Sequence, residues 1–258
     1  MFWNKKKTTK TVTWHKPGGT YNKLSEVALV SEHTLIAGYT GCGKSTFLRS
    51  IIRAMLIKYS PAEAKMIIID PKQTDLDRCA CLPHTLIYAD DLEATAEALE
   101  YAVNEMRRRH NARRASGAEV FQGSALYVII DELNPILTDK VNKDRASFCE
   151  YCIEQIVSLG RSANVHLIAC TQNPNKKTIP ANISDNCTCR FGLHCMTDIQ
   201  SRQIILQKGC EMLPIHGETL AVIGGVLGHY KLPYVTQEDI KPLLDYWCSS
   251  ASVSVKTC

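Results

Sequence analysis

Residues 38–45 read GYTGCGKS and satisfy the spacing GxxxxGK[ST]. That spacing builds a phosphate cradle. Glycines let successive backbone N–H groups turn inward on an anion, and a helix N-terminus behind them adds the positive end of its dipole. In such a loop Lys44 reaches the β- and γ-phosphates and the Ser45 hydroxyl ligates magnesium, with Gly38, Tyr39, Thr40, Gly41, Cys42, Gly43 and Thr46 completing the wall. The metal also needs a carboxylate, and YVIIDE supplies Asp131 at the end of an apolar run with Glu132 beside it. Asp131 is expected to support the magnesium shell and Glu132 to polarise an attacking water, as in hydrolysing NTPases. A third candidate is Gln172, an amide directly after VHLIACT that is placed to sense the γ-phosphate or orient water; on spacing alone it reads equally as a loop amide.

These residues need a frame that brings them to one edge, and the sequence alternates short β-rich runs with helical ones. HTLIAG precedes a helix over 44–58, MIIID precedes a short segment, and HTLIYAD precedes a helix over 92–114. ALYVIID, a helix over 149–159 and VHLIACT follow. Strands alternating with helices of this length predict an α/β fold with a mostly parallel sheet covered on both faces. MIIID and YVIID are continuous apolar runs ending in Asp, as where buried parallel strands emerge at their carboxyl ends, and function is expected there. Beyond Thr171 come a polar loop, a strand near CRFGLHC, a helix near DIQSRQIIL, strand-like LAVIGGV and a helix over 238–246. Residues 1–30, with Lys5, Lys6, Lys7, Lys10 and Lys16 and a short strand at TVTW, read as a basic flank, 31–250 as one domain and 251–258 as a tail.

Fourteen Gly and ten Pro in 258 residues, with 45% hydrophobic and 22% charged, exclude collagenous and low-complexity classes. No apolar run approaches the ~20 residues of a membrane helix, so no membrane insertion is expected. The net charge of +4 neither demands nor excludes a polyanionic partner. The basic start lacks the apolar core of a secretory signal. A cytoplasmic, reducing location is expected for the twelve cysteines, and with it free thiols.

At the level of motifs the chain resembles the FtsK/SpoIIIE DNA translocases of the RecA-like HerA/FtsK group. HTLIAGYTGCGKS is similar to the family's hLhAGxTGSGKS, MIIIDPK to its hhDPK, and the segment ending in EMRRRH to its EMxRRY. YVIIDEL, LGRSANVHLIACTQNP and CRFGLHCMTDIQSRQIIL resemble its later motifs in the same order. The resemblance implies a RecA-like P-loop domain and a ring, usually hexameric, that moves double-stranded DNA by ATP hydrolysis with Mg2+ between subunits. It implies that Arg161, in the GR position of its block, is a finger for the neighbouring subunit and that Arg190 is a further inter-subunit sensor; Asp70 and Lys72, at another strand end, read equally as shaping the subunit boundary or as making a local salt bridge. Two departures bear on the cargo: Asn173 replaces the Arg of QRP, and Asp198 stands where a second loop has lysine. Lys176, Lys177 and Arg202 are expected to restore phosphate contacts, which tolerate changes of position. Only 37 residues precede Gly38, and no winged helix is expected after the motor. A compact form serving conjugation, plasmid or phage DNA transfer is expected, with a separate relaxase, recruiter or membrane component as partner. The alternatives are an ATPase that energises protein or nucleoprotein export and an ATP-dependent DNA-binding switch for replication or maintenance.

Two further groupings have local readings. Arg107, Arg108, Arg109, Arg113 and Arg114 at a helix C-terminus favour the dipole and suit a solvated or inter-subunit face. Cys149 and Cys152 form CxxC, but they lie in a helix and no second CxxC accompanies them, which argues against zinc. Cys42 reads either as an inert buried thiol or, beside Lys44 and a helix N-terminus, as one with a lowered pKa.

Overall fold

A computed structural model describes residues 22–23, 32–73, 76–175 and 178–254. The strand expected at TVTW, nearly all of the basic flank, and Lys176 and Lys177 lie outside the described residues. In chain order the elements are β1 (Asn22–Lys23), β2 (Thr34–Ala37), α1 (Lys44–Lys58), β3 (Ala64–Ile69), β4 (Thr85–Ala89), α2 (Leu92–Ser116) and β5 (Ala125–Ile130). They continue with α3 (Asn134–Leu137), α4 (Lys143–Leu159), β6 (Val165–Thr171), α5 (Ala181–Asn186), β7 (Cys189–Gly192), α6 (Asp198–Ile205), β8 (Glu218–Ile223), β9 (Val226–Lys231) and α7 (Gln237–Ser254).

The strands form one sheet in the order β1-β9-β8-β7-β2-β6-β5-β3-β4. Every pairing from β7 through β4 is parallel, whereas β8 pairs antiparallel with both β7 and β9. Central strands β2, β5 and β6 are buried at every residue, the signature of a sheet covered on both faces. Alternate residues divide between the covers. Leu35, Ile67, Val128 and Leu167 pack with Leu99 and Met106 of α2 and Ile153 and Ile156 of α4. Ile36, Ile68, Ile129 and Ile168 pack with Phe47, Ile51 and Met55 of α1 and Ile240 and Leu244 of α7. Each such side chain contributes about 1.5–3 kcal/mol on burial, so the sheet's carboxyl edge is held rigidly from both sides.

Local sequence sets the helix ends. Asp91 caps α2 by accepting from the Ala94 N–H at 2.7 Å, and Gly117 ends it in the left-handed region at φ 68°. Helix α4 places Ala146, Cys149, Ile153 and Ile156 on one stripe against the core, with Cys152 beside them, so both members of the CxxC are buried packing residues. The strand-like LAVIGGV is in fact a hairpin: Ile223 pairs with Val226 around Gly224 and Gly225, both at positive φ. A two-residue turn needs that conformation at both positions, which glycine adopts without strain.

Two expectations are corrected. Arg109, read as part of an exposed cluster, is buried: it donates to Glu105 at 2.8 Å and to the carbonyls of Ser124, Ala163 and Asn164 at 2.8, 3.3 and 3.0 Å. It pins α2 to the starts of β5 and β6, a task for the five-donor guanidinium that no lysine could copy. The second concerns thiols. Cys81 and Cys248 form a disulfide that ties the turn before β4 to α7, while the other described cysteines are free. Their side chains meet because α7 packs across that turn, a contact invisible in residues 167 apart.

Candidate nucleotide site

Four parallel strands deliver their next residues to one edge. Strand β2 leads into Gly38, β3 into Asp70, β5 into Asp131 and β6 into Gln172; Gly38 lies level with Gln172 and Asp70 with Asp131, while β6 runs two residues past β5. Backbone bonds lock the edge: Gly38 N–H donates to the Thr171 carbonyl at 3.3 Å, Asp131 N–H to Ile69 at 3.0 Å, and Tyr39 N–H to His194 at 2.7 Å.

The loop itself turns through Gly41 (φ 81°) and Gly43 (φ 100°), both in the region that strains other residues, and α1 starts directly at Lys44. Gly38 is required for a different reason. A Cβ there would lie 2.7 Å from the Cys42 sulfur and 2.8 Å from Leu193 Cβ. Lys44 is buried, and its ammonium donates to the carbonyls of Gly38 and Tyr39 at 2.8 Å each. Of the two readings of Cys42 the buried one holds: the thiol is 1% exposed, and burial pushes its pKa up against the opposing pull of Lys44. Burial also drives Cys170 on β6 well up, with Asp131, Lys44 and Glu132 all acting on it. These three charged groups therefore converge around the end of β6.

Glu132 is buried at 2% exposure and fully engaged. Its Oε1 accepts from the N–H groups of Asn134 and Gln172 at 3.2 Å each, and its Oε2 accepts from Gln172 N–H and Lys72 Nζ at 3.1 Å each. The Gln172 side chain turns the other way, its Oε1 accepting from the Thr40 hydroxyl at 3.0 Å. Tyr39, Thr40, Lys72, Glu132, Gln172 and Gln200 line an open groove of about 480 Å3 at this point. A second groove of about 390 Å3, touching the later residues of the loop, is lined by Gly43, Thr46, His216, Pro233 and Tyr234. Sequence reasoning missed both Lys72 as a partner of Glu132 and this second groove. IDPK and IDE both end apolar runs, but nothing in the sequence records that their strands, β3 and β5, are neighbours.

The remaining expected residues lie apart. Arg161 is in the turn before β6, at the amino edge of the sheet, half exposed and 3.4 Å from Glu32. Seven residues of β6 at about 3.3 Å each separate that edge from Gln172. Arg190, expected at a subunit boundary, is 7% exposed and turned into its own chain, donating to the carbonyls of Cys187 and Ser184 near Asp185. Arg202 is exposed on α6 and 3.5 Å from Asp198. No group of three or more His, Cys, Asp or Glu that could hold a metal occurs among the described residues. Ser45 and Asp131 nevertheless supply a hydroxyl and a carboxylate, the hard oxygen donors that suit magnesium when substrate phosphates and waters complete its shell.

Comparison with known proteins bears on the fold and the family. Residues 20–125 match the FtsK/SpoIIIE family. The DNA translocase FtsK of Helicobacter pylori strain J99 is 30% identical over 233 residues, covering 83% of this chain and 27% of that protein. The chain thus spans about a quarter of the length of the curated relatives it matches. Among solved structures, the pCW3 conjugation coupling protein TcpA with ATPγS superposes with a TM-score of 0.74 at 21% identity, covering 84% of this chain and 65% of that one. The cytoplasmic domain of the Type VII secretion ATPase EccC of Thermomonospora curvata gives 0.64 at 23%, covering 80% and 26%. Both show a shared α/β fold.

Proposed function

The chain carries a P-loop ATPase domain of the FtsK/SpoIIIE type, and from that premise we propose that it is an ATP-driven translocase of double-stranded DNA working as a hexameric ring of copies. The observation that carries the reading is the division of labour across the sheet. Lys44, Asp131, Glu132 and Gln172 converge at the carboxyl edge, while Arg161 stands at the amino edge, beyond reach of its own phosphate loop. An arginine so placed serves catalysis only in the site of an adjacent copy.

In this account the β- and γ-phosphates lie on the loop's N–H groups, and the Lys44 ammonium leaves the Gly38 and Tyr39 carbonyls to bind them. The γ-phosphate points into the groove of Glu132 and Gln172, so the ribose and base extend into the groove lined by His216, Pro233 and Tyr234. Ser45 and Asp131 would hold magnesium, which supplies charge neutralisation at the phosphates. Glu132 orients and polarises the attacking water, and Gln172, tied to Thr40, registers the terminal phosphate. Arg161 of the neighbouring copy stabilises charge on the transferred phosphoryl group, a contribution on the order of 10³–10⁵ in rate. Hydrolysis then alters docking between copies and moves Lys176, Lys177 and Arg202 along DNA phosphates.

Conjugation, plasmid or phage DNA transfer is the setting we favour, with a relaxase, recruiter or membrane component as a separate partner. No helix among the described residues is long and apolar enough to cross a membrane. Asn173 and Asp198, in place of basic residues, favour as a second reading the export of polypeptide or nucleoprotein by the same site. Displacement of a triplex-forming strand from a long duplex tests the reading. An ATP-dependent signal that Lys44→Ala lacks supports a DNA motor; ATPase activity without displacement favours the other cargo.

A further inference from the structure

Lys72 follows β3 and belongs to neither the phosphate loop nor the acidic pair, yet its ammonium contacts the Glu132 carboxylate at 3.1 Å. The two side chains are differently placed: Lys72 is 33% exposed and lines the groove, whereas Glu132 is 3% exposed behind it. The other donors to Glu132 are backbone N–H groups of Asn134 and Gln172, fixed by the strand ends. A carboxylate offers about four acceptor positions. With those N–H groups on both oxygens and Lys72 on Oε2, the side of Glu132 facing the groove is the side the ammonium covers. A water approaching from the groove must compete with a cation for the same lone pair.

A terminal phosphate in that groove changes the competition. It carries more negative charge than a carboxylate, and a lysine on a flexible four-carbon stem can reorient toward it. We propose that Lys72 is a positioning residue that couples the γ-phosphate to Glu132. Through the observed contact it clamps Glu132; when a triphosphate fills the groove its ammonium moves to a γ-phosphate oxygen, and the uncovered Glu132 oxygen accepts a hydrogen bond from the attacking water. A diphosphate does not reach the groove, so the clamp stays closed and the base stays masked after product release. The inference rests on the ATPase reading above and adds to it a residue that distinguishes ATP from ADP.

The test is calorimetric binding of ATPγS and of ADP, each with Mg2+, to the full chain and to Lys72→Met, Lys72→Arg and Glu132→Gln. Lys72→Met should weaken ATPγS roughly tenfold, about 1.4 kcal/mol, and leave ADP unchanged, with Lys72→Arg restoring most of the difference. Glu132→Gln, which frees the ammonium, should tighten ATPγS without tightening ADP, and this arm stands even if Lys72→Met fails to fold. Equal losses for both nucleotides in Lys72→Met, or an unchanged ATPγS to ADP ratio in every variant, overturns the proposal while leaving the ATPase reading intact. If the unmodified chain binds neither nucleotide, the ATPase reading falls and this inference with it.

Discussion

The Thr40 hydroxyl donates to Oε1 of Gln172 at 3.0 Å, joining the phosphate loop after β2 to the residue after β6. Through its own N–H the same glutamine holds both oxygens of Glu132. One residue thus spans the phosphate loop and the proposed base.

That bridge sets the first prediction. Replacing Gln172 by Ala removes the side-chain link but keeps the N–H bonds to Glu132, so nucleotide binding should survive while turnover falls about 10²-fold, the low end of what a positioned proton-transfer group contributes. Steady-state kinetics checks it. A rise in KM with kcat unchanged would assign Gln172 to ground-state binding instead.

Glu132→Gln should bind nucleotide and fail to hydrolyse it, because the amide keeps the shape and one acceptor oxygen but is too weak a base to polarise water. Nucleotide binding measured beside phosphate release checks this. Turnover equal to that of the unmodified chain would remove Glu132 from the mechanism.

Arg161 makes a prediction about pairs of chains. Lys44→Ala has an intact finger without a working loop, and Arg161→Ala has the reverse. Each alone should be at least ~10³-fold slow, and mixing them should restore part of the activity in proportion to mixed contacts. If the mixture is no faster than the sum of its parts, Arg161 does not act in a neighbour's site.

How much of this was legible beforehand differs by residue. The phosphate loop and α1 were readable because glycine requirement, lysine and helix start are contiguous in sequence. Asp131 and Gln172 were readable because continuous apolar runs mark buried parallel strands and fix where they end. The antiparallel β8–β9 hairpin was hidden by reading Gly224 and Gly225 as part of a strand, although two positive-φ glycines between apolar runs are a turn signal. Arg109, Lys72 and the Cys81–Cys248 pair were not legible, because their partners come from other elements and sequence spacing carries no record of which strands lie side by side.

Burial of two histidines gives a pH dependence. Desolvation, followed by the charge of His166, lowers His33 to about 3. Desolvation likewise brings His166 to about 4, with Glu32 partly opposing. Both folded values lie below the ordinary value of 6.5, so the unfolded chain binds more protons between 6.5 and these values. Their contribution is fully present above pH 6.5 and is lost as pH falls toward 4 and then 3. At pH 5.5 the loss should be about 1.4 kcal/mol for each histidine. Urea midpoints at pH 7.5 and 5.5 check the direction; a midpoint that does not fall on acidification contradicts it.

Arg109 should matter for stability and not for chemistry. Arg109→Met removes the guanidinium from the Ser124, Ala163 and Asn164 carbonyls, of which Asn164 keeps the Leu126 N–H, and costs about 3 kcal/mol, read as a lower denaturation midpoint. If the midpoint is unchanged, the guanidinium is not what holds α2 to β5 and β6.

The most direct test of the central claim is the steady-state ATPase rate with and without long duplex DNA, at low and moderate salt, with Lys44→Ala as the blank. The account predicts a rate that duplex DNA strongly stimulates, a stimulation that weakens as salt rises because the contacts are to phosphates, and no rate in the blank. Robust Lys44-dependent hydrolysis that ignores DNA at both salt concentrations would contradict a DNA motor.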